Sequence, residues 1–229
     1  MKNKNLKDFF RNNSDNTYKP QKIQNSMHRI TTGSEFLNEI LHGYPSNQLT
    51  LIYGKPSTGK TTLALLAIQG QTKYNKKVIY IDTENGFSLE RLKQLNHKIN
   101  DYLKNIIVLK PNSWEEQEKI ILNLPKKASL IIIDTIGNFY RKEKNKTKAN
   151  ESLIKQLTKL KEINNTNIPI IIINQVYTDM EGETIPVSRN IITNFSKNII
   201  KLEKNSKRIL VHNKKEFDFK IEEEGIIKS

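Results

Sequence analysis

Cysteine is absent from this 229-residue chain, which excludes disulfides, thiolate nucleophiles and any cysteine-based zinc site. An intracellular setting permits such a composition. Long apolar stretches are missing too. Runs such as Leu130 to Ile133 and Ile170 to Ile173 fall far short of the roughly 20 residues that span a bilayer. Met1-Lys2-Asn3-Lys4-Asn5 leads into no apolar signal core, so the expected location is cytoplasmic, with no membrane partner. Acidic residues are scarce: 24 Asp and Glu against 38 Lys and Arg leave a formal charge of +14. That balance suits an acidic polymer, nucleic acid foremost. The signal is diluted because the chain is also crowded with Asn and Ile, an enrichment that nucleotide bias in a genome produces by itself. His28, His42, His97 and His212 share no metal-ligand spacing, and structural roles are their default.

What is present has a clear order. The first 28 residues are rich in Lys, Asn and Gln without apolar periodicity and read as a mobile basic extension. From residue 29 to 229 the texture is that of one compact domain. Thr31-Thr32-Gly33-Ser34 offers a helix start, and Phe36, Leu37, Ile40 and Leu41 share one helical face. Five strand candidates follow, Gln48–Tyr53, Lys77–Asp82, Asn105–Lys110, Leu130–Asp134 and Ile168–Asn174, the first four each trailed by a helix-like stretch. This alternation predicts an α/β fold, a mostly parallel sheet with helices on both faces. After Phe195 three short segments, Asn198–Leu202, Arg208–His212 and Phe217–Ile221, are expected to finish one edge as antiparallel strands. Ser113 caps a helix begun by Trp114, Glu115 and Glu116, a structural feature.

The chemistry is concentrated in Gly54-Lys55-Pro56-Ser57-Thr58-Gly59-Lys60-Thr61, which matches GxxxxGK[ST] between an apolar run and a helical one, Leu63 to Ile68, with Thr62 counted among the nucleotide-binding residues. Such a loop turns its N–H groups onto phosphates, sends the Lys60 ammonium to the β- and γ-phosphates and the Thr61 hydroxyl to Mg²⁺. The helix adds its positive end. ATP or GTP is the ligand this implies. Asp134 closes a strand where a second carboxylate would hold the metal or its water shell. Glu84, ending Asp82-Thr83-Glu84, is either the base that activates water or a solvated loop carboxylate. Arg91 either stacks on a base or is an exposed helix arginine, and Gln175 either reaches the site or caps a sheet edge. Arg141, Lys142, Lys144, Lys146 and Lys148, with Tyr140 beside them, suit a phosphate-tracking surface with one stacking platform.

The stretch Tyr80 to Leu92, with Leu130 to Thr135 and Ile173-Asn174-Gln175-Val176, resembles the RecA/RadA recombinase superfamily. The opening Ile30-Thr31-Thr32-Gly33, the short length and the lack of a separate amino-terminal helical domain make the chain most similar to the archaeal RadB branch, over roughly residues 29 to 225. The resemblance implies a RecA-like phosphate-loop ATPase using ATP and Mg²⁺. Glu84 would position the hydrolytic water, Arg91 would lie against the adenine, and Gln175 would link the γ-phosphate to a DNA-binding loop. Gly137 to Lys148 and Tyr177 to Phe195 would be the two DNA loops. It further implies feeble ATPase activity, binding of single-stranded DNA without strand exchange, and regulation of the main archaeal recombinase RadA or a Holliday-junction nuclease, and it leaves room for a homo-oligomer. His212-Asn213-Lys214-Lys215 departs from the family's Lys-His-Arg pattern, which leaves a cation acting across a subunit interface without an assigned residue. A KaiC-type, ATP-gated assembly protein without a DNA role is the alternative. The missing Phe-x-x-Ala tether disfavours an active strand-exchange enzyme.

Overall fold

The computed structural model describes residues 28–178 and 184–229; the expected basic extension lies, His28 apart, outside the described residues. Arg29–Ile30 (β1) and Tyr44–Pro45 (β2) form a small antiparallel ribbon around helix α1, Glu35–Leu41. Ser34 caps that helix by accepting from Leu37 N–H, and Arg29 finishes it by donating to the carbonyls of Leu41, His42 and Gly43. Those carbonyls would otherwise lack partners at the helix end.

The centre is a sheet of nine strands among the described residues. Its parallel part comprises β3 (Leu49–Gly54), β4 (Val78–Asp82), β5 (Ile106–Leu109), β6 (Leu130–Asp134) and β7 (Ile170–Asn174). Helix α2 (Lys60–Thr72) follows β3 and α3 (Leu89–Leu95) follows β4. Helix α4 (Trp114–Leu122) follows β5, and α5 (Asn138–Lys142) with α6 (Lys146–Asn164) follows β6. Successive strand side chains point to opposite faces, and both faces are covered. Leu130, Ile132, Ile171 and Ile173 pack with α1, α2 and α3, while Ile131, Ile133, Ile170 and Ile172 pack with α4 and α6. This is why the strands read as unbroken apolar runs. Burying each such Ile stabilises by about 1.5–3 kcal/mol.

Beyond β7 come a short hairpin, β8 (Val176–Thr178) with β9 (Thr184–Pro186), and helix α7 (Arg189–Phe195). The strand expected at Asn198–Leu202 is β10 (Ser196–Lys204), and it pairs with β3 in parallel, Ile200 opposite Ile52. Helix α7 is the cause: it carries the chain back along the sheet, so β10 enters in the direction of β3. Only β11 (Arg208–His212), β12 (Lys215–Glu222) and β13 (Gly225–Lys228) continue antiparallel to the edge. Among the described residues no helix is long and apolar enough to cross a membrane.

Candidate functional site

Because β3, β4, β6 and β7 are parallel, their carboxyl ends gather Gly54, Asp82, Asp134 and Asn174 along one edge. In α/β sheets this edge is where ligands sit. The loop from Gly54 to Lys60 leaves β3 there. Thr58 donates its hydroxyl to the Lys55 carbonyl at 2.9 Å, and the Lys60 ammonium donates to the carbonyls of Gly54 and Lys55 at 2.8 and 2.9 Å. Burial lowers the Lys60 pKa, with Asp134 and Glu84 opposing it. Lys55, Pro56 and Ser57 form the exposed arm of the loop. Gly59 caps α2 at φ 109°, and a Cβ there would fall 2.7 Å from Ile221 Cδ1. Ser57, Gly59, Lys60, Thr61, Thr62 and Ile221 line a cavity of about 220 Å³.

Asp134 faces this cavity's Thr61. Its Oδ2 accepts from the Thr61 hydroxyl at 2.9 Å and from the Tyr80 hydroxyl at 2.6 Å. Burial pushes the Asp134 carboxyl up, and these two hydrogen bonds pull it back. A hydroxyl and a buried carboxylate side by side are hard oxygen donors of the kind Mg²⁺ takes, and a buried anion gains from a cation beside it. The residues present therefore fit that ion.

Glu84 stands on a turn built by its neighbour. Asp82, 1% exposed, accepts from Gly86 N–H at 2.9 Å and Phe87 N–H at 3.2 Å, and Lys110 lies 3.6 Å from its carboxylate. Glu84 Oε1 then receives the Thr135 hydroxyl at 2.8 Å and the Gln175 amide. Three distant stretches thus meet at one oxygen. Thr83 and Thr135 clasp each other alongside, Thr83 Oγ1 accepting from Thr135 N–H at 2.9 Å and donating to its carbonyl at 2.8 Å. Arg91 is anchored to the β12–β13 turn by donating to the Glu222 and Glu223 carbonyls at 2.6 and 3.1 Å, and to Gln94 at 2.9 Å. Its acceptor Glu222 directly follows Ile221 of the phosphate-loop cavity, and the guanidinium is held there.

The basic run differs from expectation. Gly137 to Lys148 is no loop: α5 and the start of α6 occupy it, the latter capped by Asn145 accepting from Lys148 N–H. Arg141, Lys142, Lys144, Lys146 and Lys148 remain exposed. Tyr140 is not a free platform, since its hydroxyl donates to Asn150 at 2.6 Å, its ring meets Trp114 edge-on, and Lys146 covers it at 4.9 Å from the centroid. Tyr177, half exposed on β8, is the open aromatic instead. Tyr140, Asn150, Tyr177, Ile185, Ser188 and Arg189 line a groove of about 420 Å³ where the two expected DNA segments meet. The second of these holds a two-stranded ribbon and then a helix, and its residues 179–183 lie outside the described residues. Near the carboxyl terminus Lys207 pairs with Asp218, Asn213 and Lys214 make the β11–β12 turn at positive φ, and His212 is buried against Asn198 at 2.9 Å. That places His212 inside the sheet.

Tyr80, Thr135 and Ile221 were not anticipated as site residues. Thr135 lies beside one that was, Asp134, and Tyr80 four residues before another, Glu84, but only strand pairing shows which way they face; nothing local marks Ile221.

Residues 23–227 match the sequence profile of the Rad51 family. The DNA repair and recombination protein RadB of Methanococcus maripaludis is 38% identical over 178 residues, 73% of this chain and 82% of that one. That of Thermococcus gammatolerans is 35% identical over 218 residues, 86% of this chain and 97% of its own. The crystal structure of the RadB recombinase aligns with a TM-score of 0.76 at 32% identity, covering 87% of this chain and 99% of the other. The chain therefore belongs to the Rad51 family, on the RadB branch of the RecA/RadA superfamily.

Proposed function

We propose that this chain is an ATP-binding, weakly hydrolysing, DNA-binding protein that assists homologous recombination and repair as an accessory to a main recombinase. Its relatives are named for DNA repair and recombination. The observation that carries the reading is Glu84 Oε1, where Thr135 and Gln175 converge. Both donors fall on one oxygen, which leaves Oε2 to accept a proton from a water oriented by the same contacts. Lys60 uses two N–H groups on its own loop and keeps the third for a phosphate oxygen. Arg91, held by main-chain carbonyls, presents a flat guanidinium for stacking on adenine. Mg²⁺, when bound at Thr61 and Asp134, supplies neutralisation of phosphate charge. Glu84 is open to solvent, and an active site gains strength by excluding water, so slow turnover is expected of one subunit.

Gln175 opens directly into β8, and Thr135 leads through Gly137 into α5. Nucleotide state at Glu84 is thereby tied to both segments proposed to contact single-stranded DNA, with Arg141, Lys142, Lys144, Lys146 and Lys148 on its phosphates. The partners proposed on the family resemblance are the recombinase RadA and a Holliday-junction nuclease. ATP binding and hydrolysis measured on one sample, with and without single-stranded DNA, test this. Lys60→Ala should lose most triphosphate affinity with the fold intact. Glu84→Gln should keep ATP and lose most hydrolysis. Undiminished binding by the first variant, or unchanged hydrolysis by the second, refutes the reading.

A further inference from the structure

The opposite edge of the sheet carries its own concentration of positive charge. Three turns enter the amino ends of adjacent strands there: Lys73 to Lys77 before β4, Lys104-Asn105 before β5, and Asn123 to Ser129 before β6. β4 lies between the other two, with Val78 opposite both Ile106 and Leu130, so the turns sit side by side. They are also tied together. Ser129 donates its N–H and its hydroxyl to the Lys77 carbonyl, each at 2.8 Å, and Asn105 donates its amide to Asn75 Oδ1 at 3.4 Å. Lys73, Lys76, Lys104, Lys126 and Lys127 are exposed, and the three turns hold no Asp or Glu. Tyr74, 62% exposed, stands among them with the Lys73 ammonium 5.1 Å from its ring centroid.

We propose that this edge is a second nucleic-acid surface, fitted to the phosphate backbone of a duplex. Three strands about 4.8 Å apart spread the lysines over roughly 10 Å, about the rise of three base pairs at 3.4 Å each. Lysines act as point charges on phosphates and read no sequence. Single strands are held on successive aromatic platforms, and this edge offers Tyr74 alone. An acidic polypeptide would meet the same charges but gains nothing from the regular spacing of the strands whose turns carry them. Strands of four to five residues separate this edge from the nucleotide edge by about 13–17 Å, beyond the roughly 10 Å screening length at 0.1 M salt. The two surfaces therefore act independently, and one subunit holds two DNA segments at opposite ends of its sheet.

The test is fluorescence anisotropy with a labelled duplex and a labelled single strand across a salt series, using the full chain, K73Q/K76Q/K126Q/K127Q and, in parallel, K142Q/K144Q/K146Q. All seven positions are exposed, and thermal melts should coincide. The first variant is expected to lower the duplex slope of log affinity against log salt by about 3 to 4, at about 0.9 per phosphate contact, and to leave the single-strand slope in place. An unchanged duplex slope overturns the proposal, leaving a solvated face. So does a loss of poly-glutamate binding with duplex binding intact, which makes the edge a protein-binding surface. Failure of the nucleotide-edge DNA reading shows separately, as an unchanged single-strand slope in the second variant.

Discussion

Replacing Thr135 by Val asks whether Glu84 is oriented by its neighbours. Thr135 is 1% exposed, and its hydroxyl has one partner among the described residues, Glu84 Oε1 at 2.8 Å. Valine keeps the branched shape and removes only that donor. A hydrogen bond to a charged group is worth about 1.5–3 kcal/mol, and each 1.36 kcal/mol in a barrier is about tenfold in rate. Glu84 is exposed and retains Gln175, so the lower end applies. Steady-state hydrolysis should show kcat reduced about tenfold with KM for ATP nearly unchanged, because Thr135 lies outside the phosphate loop. Thr135→Ser makes the opposite change, keeping the donor and deleting a buried methyl. It should retain kcat and melt a few degrees lower, since about 1 kcal/mol of lost packing corresponds to about 2–4 °C in a domain of this size. Equal loss of kcat in both variants, or wild-type kcat in the valine variant, would sink the positioning role.

Gly54→Ala should destabilise by about 1–3 kcal/mol, because a Cβ there would lie 2.2 Å from the Leu202 carbonyl oxygen and would have to push β10 off β3; calorimetry that finds an unchanged melting temperature contradicts the packing described. Replacing Lys142, Lys144 and Lys146 by Gln should reduce the single-strand salt slope by about 2, at about 0.7 per contact; anisotropy is the readout. His212 is held neutral, its pKa lowered by burial and then by Arg29 and His42. The unfolded chain binds that proton more readily, so its contribution to stability is full above about pH 6.5 and is lost as pH falls toward the native value. Melting temperature should drop between pH 7.5 and 5 more steeply in the wild type than in His212→Gln, and parallel curves would refute it.

The parallel core was legible because each strand is a contiguous apolar run bounded by polar turns, and the phosphate loop because its eight residues are consecutive. Direction was not. Whether β10 runs with or against β3 depends on where α7 delivers the chain, which no periodicity within Ser196–Lys204 records. The basic run after Asp134 was expected as a loop on the family resemblance, although Ala149, Leu153, Leu157 and Leu160 already mark the buried stripe of α6. Tyr140, legible as an aromatic beside lysines, turned inward for the same reason: Asn150, ten residues away, is one helical start later and takes its hydroxyl.

The cluster at Glu84 shows why the site exceeds its motifs. Residues 84, 135 and 175 come from three turns, and they meet because β4, β6 and β7 are neighbours whose carboxyl ends are level, Asp82 opposite Asp134 and Asp134 opposite Ile173. Each donor to Glu84 also begins a segment: Thr135 leads to α5, and Gln175 to the β8–β9 hairpin. The stems are themselves pinned. Asn138 donates to the Thr83 carbonyl at 2.6 Å, the buried Asn174 donates to the Val187 carbonyl at 2.7 Å, and Val187 N–H returns to the Gln175 carbonyl at 3.0 Å. The two partners of Glu84 stand at the roots of the helix bearing Arg141 and Lys142 and of the hairpin bearing Tyr177, and Tyr140 of that helix and Tyr177 line the same groove.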